Sequence, residues 1–263
     1  MEEEEETNLS TKRAATREVA TSAGANEWSS QFRAYSDLVH NSEGDSLYLR
    51  TRGLQPLIIR MAGNCSNGRM LDAGCGDGWL LSAMSPREGH GCDICRFDEF
   101  PGTGTFRQDD IRKLSYADEY FDVTVASLVL MWFPDLDLAV SELCRVTKPG
   151  GIVVLAIMNP YFYRTGEANE NGDFVVDRDL SRPFVIENHR IADAVGPFAY
   201  HYRPMPDYLN SCVAAGLRIA EVADWHIDMK DFNARFGTER PGNIRRTGDV
   251  PMYTFIKCIR STR

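Results

Sequence analysis

The sequence predicts an α/β protein built on a mostly parallel sheet with helices on both faces. Three observations carry that reading. Strand-like apolar runs alternate with helix-like amphipathic runs from about residue 70 to 158, the pattern of a parallel sheet with crossover helices. The segment Leu71-Asp72-Ala73-Gly74-Cys75-Gly76-Asp77-Gly78-Trp79-Leu80 reads as a strand that ends abruptly in a glycine loop and opens a helix. A length of 263 residues with 43% hydrophobic content suits one sizeable core with insertions rather than two full domains.

Residues 1–25 combine an acidic run with Thr, Ser, Ala and Gly and show little apolar periodicity, so a mobile tail is expected. Trp28, Phe32, Tyr35 and Val39 then recur at helical spacing and place one aromatic stripe on a helix. A second helix follows, from about Leu47 or Pro56 through Met61, so that residues 26–64 form N-terminal cap helices. The core, residues 65–158, runs strand 70–73, helix 78–84, strand 89–94, a strand near 104–108, strand 121–129, helix 135–147 and strand 151–158. Residues 159–204 exceed an ordinary loop and are rich in aromatics, and long loops in compact domains are usually functional. Together with the N-terminal helices they are expected to cap the strand ends and bind substrate. From 205 to 263 the core resumes with a helix from Pro206 that Gly216 ends. Strands at 217–225 and 252–260 close the sheet, and the polar stretch 226–250 between them reads as a long loop.

Glycines at 74, 76 and 78 let the backbone turn sharply and approach a ligand more closely than a β-carbon permits. A dinucleotide fingerprint spaces its glycines G-x-G-x-x-G and seats a pyrophosphate on the helix N-terminus. This loop is G-x-G-x-G, with Asp72 before it and Asp77 inside it. Acid there repels phosphate and suits a ligand that carries an amino group and a sulfonium. Further motifs follow in order: Gly91-Cys92-Asp93-Ile94-Cys95, then Gln108-Asp109-Asp110-Ile111-Arg112-Lys113-Leu114, then Phe121-Asp122-Val123-Thr124-Val125-Ala126-Ser127. Pro134-Asp135, a periodic helix, and Val146-Thr147-Lys148-Pro149-Gly150-Gly151 before Ile152-Val153-Val154-Leu155 complete the series. The succession resembles the class I S-adenosylmethionine (SAM) dependent methyltransferases, of the small-molecule, type 11-like family. The likeness is strong over about residues 65–158 and weak over 204–260.

That resemblance implies a Rossmann-like fold of seven strands with the last one antiparallel, and SAM as the cofactor. It implies that Asp93 accepts from both ribose hydroxyls with Ile94 beside it, and that Asp110 meets the adenine amino group with Ile111 beside it. Backbone carbonyls at Gly74 and near Ser127 would take the methionine amino group, Gly76 would line the loop, Asp72 would arrange it, and Tyr35 would serve as a lid. The chain departs from the family twice. Only residues 96–104 are left where a full helix normally lies between Asp93 and Asp110, and Met131 and Trp132 stand where histidines are often found. Met131 and Trp132 are therefore expected to bind substrate, and Tyr163, in the aromatic insertion, to bind it by orienting a hydroxyl.

A general base is needed only if the acceptor holds its proton. His201, in Tyr200-His201-Tyr202, is the first candidate, with His189 second and Tyr161 able to orient a hydroxyl. Asn159-Pro160-Tyr161 is superficially similar to the N-P-P-Y signature of amino methyltransferases, but it follows the wrong strand and lacks the second proline.

A net charge of −9 argues against a nucleic-acid substrate, because neutralising phosphates requires a basic face. Seven singly scattered cysteines make no secreted disulfide framework, and no signal peptide or long apolar span is evident, so a cytoplasmic protein without a membrane partner is expected. Cys92 and Cys95 form a C-x-x-C without a second pair, so no metal is expected and turnover should need none. The expected acceptor is a small, aromatic or polycyclic molecule, with homo-oligomer contacts through the N-terminal or cap segments. Methylation of protein or RNA, a non-catalytic SAM-binding protein and a nicotinamide dehydrogenase are the alternatives.

Overall fold

A computed structural model of the chain describes residues 28–40, 44–95, 100–162, 166–168, 174–176, 178–191, 195–237 and 250–262. The tail expected at 1–25 and Tyr163 lie outside the described residues.

A seven-stranded sheet organises the molecule. Its strands are β1 (Arg69–Ala73), β2 (Glu88–Asp93), β3 (Thr105–Gln108), β4 (Phe121–Ser127), β5 (Thr147–Met158), β10 (Leu217–Trp225) and β11 (Tyr253–Arg260). Their spatial order is β10-β11-β5-β4-β1-β2-β3. β3, β2, β1, β4 and β5 are mutually parallel, whereas β11 runs antiparallel to both of its neighbours. This is the expected Rossmann-like sheet of seven strands, with its last strand reversed. β5 begins four residues earlier than the sequence suggests, because Thr147 pairs with Phe121 across an irregularity in the β4 register.

Central strands covered on both faces are near-continuously apolar. Met70, Leu71 and Ala73 are fully buried. Leu71 and Ala73 join an apolar layer beneath helix α5 (Leu136–Val146) and helix α6 (Met205–Ala214), while Met70 turns to the opposite layer. α5 shows why it lies there: Leu136, Ala139, Val140, Leu143 and Val146 fall on one helical stripe, and all are buried. The other face is covered by α3 (Gln55–Ala62), α4 (Trp79–Met84) and α7 (Met229–Phe236).

α7 corrects the reading of 226–250 as a long loop. Asp228 caps it by accepting from the N–H groups of Lys230 and Asp231 at 3.0 and 3.1 Å, and Phe232 is fully buried. The signal was present as an Asp followed by Met229, Phe232 and Phe236 at i, i+3 and i+7, diluted by a polar exposed face.

The N-terminal part is helical over residues 28–40 (α1), then α2 (Asp45–Tyr48), then a π-helical turn over Leu49–Leu54 that runs into α3. The insertion after β5 is β-structured where it is described. It holds one hairpin of β6 (Gly166–Ala168) and β7 (Phe174–Val176) and a second of β8 (Phe184–His189) and β9 (Phe198–Tyr202). Between β2 and β3 no helix occurs among the described residues. No described helix is long and apolar enough to cross a membrane.

Candidate active site

The carboxyl ends of β1, β2 and β4 open into a cavity of about 620 Å³, within the range of roughly 300–1,000 Å³ that small-molecule sites occupy. The glycine loop forms its floor. The N–H groups of Gly74 and Cys75 donate to the carbonyl of Cys92 at 2.8 and 3.0 Å, which staples the loop to β2. Gly74 has φ +75°, and a β-carbon there would lie 2.4 Å from Val129 Cγ2, so only glycine fits. Gly76 differs: the nearest atom to a β-carbon would be Tyr35 Cε1 at 3.8 Å, which leaves this backbone open to the cavity. Gly78 serves packing, since its β-carbon would meet Phe100 Cζ at 2.4 Å.

Asp93 stands at the end of β2. Its carboxylate accepts from Gly76 N–H and Cys95 N–H, both at 2.9 Å, and still lines the cavity with Ile94. Asp110 and Ile111 line it too, but the Asp110 carboxylate is gripped by Arg112, whose Nε donates to Oδ1 at 3.0 Å and whose second guanidinium nitrogen donates to Oδ2 at 2.8 Å. Arg112 also reaches Asp135 at 3.2 Å. Asp110 therefore has fewer lone pairs left for an adenine amino group than the sequence suggests. Ser127 lines the cavity next to Leu128, a non-glycine residue at φ +52°. Such backbone is uncommon and concentrates at functional sites.

Sequence reasoning missed the buried ion pair behind the loop. Arg50, on the π-helical turn, donates to Asp77 Oδ2 at 3.0 Å, and His40, at the end of α1, approaches the same oxygen at 3.2 Å. Asp77 does not line the cavity; its charge is neutralised inside the wall. The repulsion of phosphate expected from two loop acids thus falls to Asp93, the carboxylate that lines this part of the cavity. Arg50 instead gives this end of the cavity a cation, packed over the Trp79 ring at 5.3 Å. Nothing in the local sequence separates Arg50 from the other basic residues, because its partner is 27 residues away.

Asp72 lies buried beneath the loop. Burial first, and then the charges of Asp77 and Asp93, push its carboxyl up to about 8. The unfolded chain releases this proton near the ordinary carboxylate value, so the folded state holds more protons between those two limits. Its contribution to stability is fully present below the unfolded value and is lost as pH rises through about 8. Thermal melts of the unliganded protein should fall more steeply between pH 5 and 8.5 than those of Asp72→Asn; parallel profiles would contradict this placement. A cationic ligand above the loop should pull the same proton off, and calorimetry in buffers of different ionisation enthalpy would read its release.

The α1 stripe forms the roof. Trp28, Phe32, Tyr35 and Val39 all line the cavity, and Trp28 stacks on Phe198 of the insertion with centroids 4.2 Å apart. Burial raises the Tyr35 hydroxyl to about 12, with the Arg50 charge beside it opposing the shift. Such a short helix has little stability of its own. Hydrogen exchange over residues 28–40 should slow when S-adenosylhomocysteine is added, and equal protection in both states would make this helix a fixed wall.

Met131 and Trp132 line the far end together with Phe133, His189, Tyr200 and His201. Trp132 Nε1 donates to the Leu128 carbonyl at 3.0 Å. Arg203 braces the segment by donating to the carbonyls of Leu130 and Phe133. His201 is driven down to about 4, by burial first and then by Arg203, with Asp135 opposing and Arg112 adding to the shift. Tyr161 is 52% exposed and is not among the cavity-lining residues. Cys92 and Cys95 are buried, and among the described residues no three metal-ligating side chains come together.

Residues 71–155 match the family model of a methyltransferase domain. The chain is 35% identical over 116 residues to a malonyl-[acyl-carrier protein] O-methyltransferase of Buchnera aphidicola subsp. Baizongia pistaciae, covering 38% of this chain and 47% of that protein. It is 31% identical over 111 residues to a ubiquinone/menaquinone biosynthesis C-methyltransferase of Bdellovibrio bacteriovorus, covering 37% and 47%. The chain spans about half the length of the curated relatives it matches. Among solved structures, an S-adenosylmethionine dependent methyltransferase from Mesorhizobium loti is similar with a TM-score of 0.62 and 22% identity, covering 78% of this chain and 96% of that one. At that identity the likeness is one of fold.

Proposed function

We propose that this chain, whose residues 71–155 match the family model of a methyltransferase domain, transfers a methyl group from SAM to a small planar acceptor held between the sheet and the aromatic roof. The observation that carries the reading is the continuity of one cavity, from the open Gly76 backbone and Asp93 at one end to the aromatic wall of Trp132 and Tyr200 at the other. The residues suit the cofactor. Asp93 offers free lone pairs to a pair of hydroxyls, Gly74 and Gly76 present backbone, and Arg50 supplies a cation where the carboxylate of an amino acid would be neutralised. When bound, the cofactor supplies a methyl group on a sulfonium.

The chain's own part is alignment and exclusion of water, which suffice for much of a displacement reaction. Asp93 and the loop fix the donor end, and Asp110, held by Arg112, edges the adenine side. Met131 and Trp132 wall the acceptor end under the α1 roof. His201 lines that end as a neutral imidazole able to accept a hydrogen bond. The exposure of Tyr161 gives no support to contact with reacting atoms.

Relatives named as an O-methyltransferase and a C-methyltransferase both match this chain, so likeness to them does not choose the acceptor atom. The first of those names supports a second reading, an acceptor carried on an acyl carrier protein. Incubation with methyl-labelled SAM, metabolite extracts and loaded acyl carrier protein tests both. Label in a small aromatic product is the expected result, label on the carrier would establish the second reading, and no transfer would overturn methyl transfer altogether.

A further inference from the structure

One side chain in the insertion is turned into the cavity by a local irregularity. β8 and β9 pair Phe184 with Tyr202, Val185 with His201 and Ile186 with Tyr200, and then His189 with Phe198. From Ile186 to His189 is three residues, while from Tyr200 to Phe198 is two, so β8 carries one extra residue. The extra residue is accommodated at Asn188, whose φ is +56°. Side chains alternate between the two faces of a strand, so a regular β8 would continue from Phe184 and Ile186 to put Asn188 inward and His189 into solvent. The bulge reverses the phase. Asn188 is exposed and His189 is 2% exposed, lining the cavity. Bulges are a recurrent means of re-aiming a side chain beside an active site.

His189 arrives in an aromatic corner. Its ring centroid is 5.7 Å from that of Trp132 and 5.2 Å from that of Tyr200. Trp28, stacked on Phe198, meets Trp132 edge-on at 5.2 Å. The titratable side chains of the elements packed here that line the cavity are Tyr200 and His201 on β9 and Tyr35 on α1, while Tyr202 on β9 is buried outside the lining and Glu187 and Arg190, on either side of the bulge, are exposed. The turn at Leu130–Trp132 presents Met131 and Trp132, and α1 presents Trp28. Among the described lining residues from the insertion and from the β4 end, none is a carboxylate.

We propose that His189 meets the acceptor and takes the proton of a hydroxyl carried by a planar aromatic ring lying against Trp132 and Tyr200. The inference rests on the methyl-transfer reading and adds the acceptor class. A lone pair on the hydroxyl oxygen forms the new C–O bond as the C–S bond breaks with its electron pair left on sulfur. The hydroxyl proton passes to the imidazole and from there to solvent. An amine or carbon acceptor has less need of such a group. His201 is the poorer candidate for that role, since an imidazole held near 4 is a weak proton acceptor at neutral pH.

The test uses the full chain saturated with S-adenosylhomocysteine and 2-naphthol as the planar hydroxyl probe, with naphtholate absorbance read against pH. An imidazolium partner favours the anion, so bound naphthol should ionise about one pH unit or more below free naphthol. His189→Gln should abolish that shift while keeping its affinity for S-adenosylhomocysteine. His226→Gln, which changes an exposed histidine, should retain it. Nitrogen NMR of the wild type needs no variant, and the His189 ring should pass from its neutral to its imidazolium pattern as naphthol binds. An unchanged shift in His189→Gln, a His189 ring that stays neutral, or no saturable naphthol binding would each overturn the proposal. Failure of S-adenosylhomocysteine itself to bind the wild type would instead overturn the methyl-transfer reading beneath it.

Discussion

Asp93→Ala is expected to weaken S-adenosylhomocysteine binding about 10- to 150-fold, because charge-assisted hydrogen bonds to the ribose hydroxyls contribute about 1.5–3 kcal/mol. The structure adds a reason to expect the upper end. The same carboxylate accepts from Gly76 and Cys95 N–H, so its removal also frees the loop that must lie against the ligand. Asp93→Asn keeps one carbonyl oxygen for those backbone donors and should lose less. Calorimetry on both variants, with circular dichroism to verify folding, separates the two contributions. Unchanged affinity in a folded Asp93→Ala would remove Asp93 from the site.

Arg50→Ala should be the most damaging single change to stability. It strands Asp77, whose side chain is 3% exposed, with His40, itself 56% exposed, as its remaining ionisable partner among the described residues, beside the Trp79 N–H it accepts from at 3.2 Å. Breaking a buried ion pair from one side typically costs about 3–5 kcal/mol. Arg50→Lys keeps the charge without the planar fork and should recover only part of the loss. The double variant Arg50→Met/Asp77→Asn should be more stable than Arg50→Ala, since no charge is then left buried. Thermal melts of the three variants decide this, and a double variant no more stable than the single would mean that the pair is not the source of the effect. Cofactor affinity should fall in every variant that lacks the guanidinium.

The parts of this architecture that were legible in the sequence depend on short-range patterns. β1, the glycine loop and α4 follow from ten consecutive residues, and α5 from a single apolar stripe. The position of Asp93 at the end of β2 was legible because the strand and the carboxylate are adjacent in the chain, whereas its role toward ribose came from the resemblance. What the sequence hid depends on pairing across distance. Arg50 meets Asp77 only because a π-helical turn sets it behind the loop. Asp110 was singled out for adenine without its Arg112 partner, two residues on, which shares the carboxylate. The phase of His189 turns on one extra residue in β8 that pairing with β9 reveals and composition does not. α7 was missed for the opposite reason: its local signals were present, but its three apolar residues are outnumbered by polar ones.

The central claim is that the glycine loop and Asp93 hold an adenosyl sulfonium cofactor and not a dinucleotide. Calorimetric titration of the wild-type chain with S-adenosylhomocysteine, repeated in saturating NAD, tests it most directly. Saturable binding that NAD leaves unchanged is the predicted result, whereas displacement by NAD, or binding of NAD alone, would contradict it.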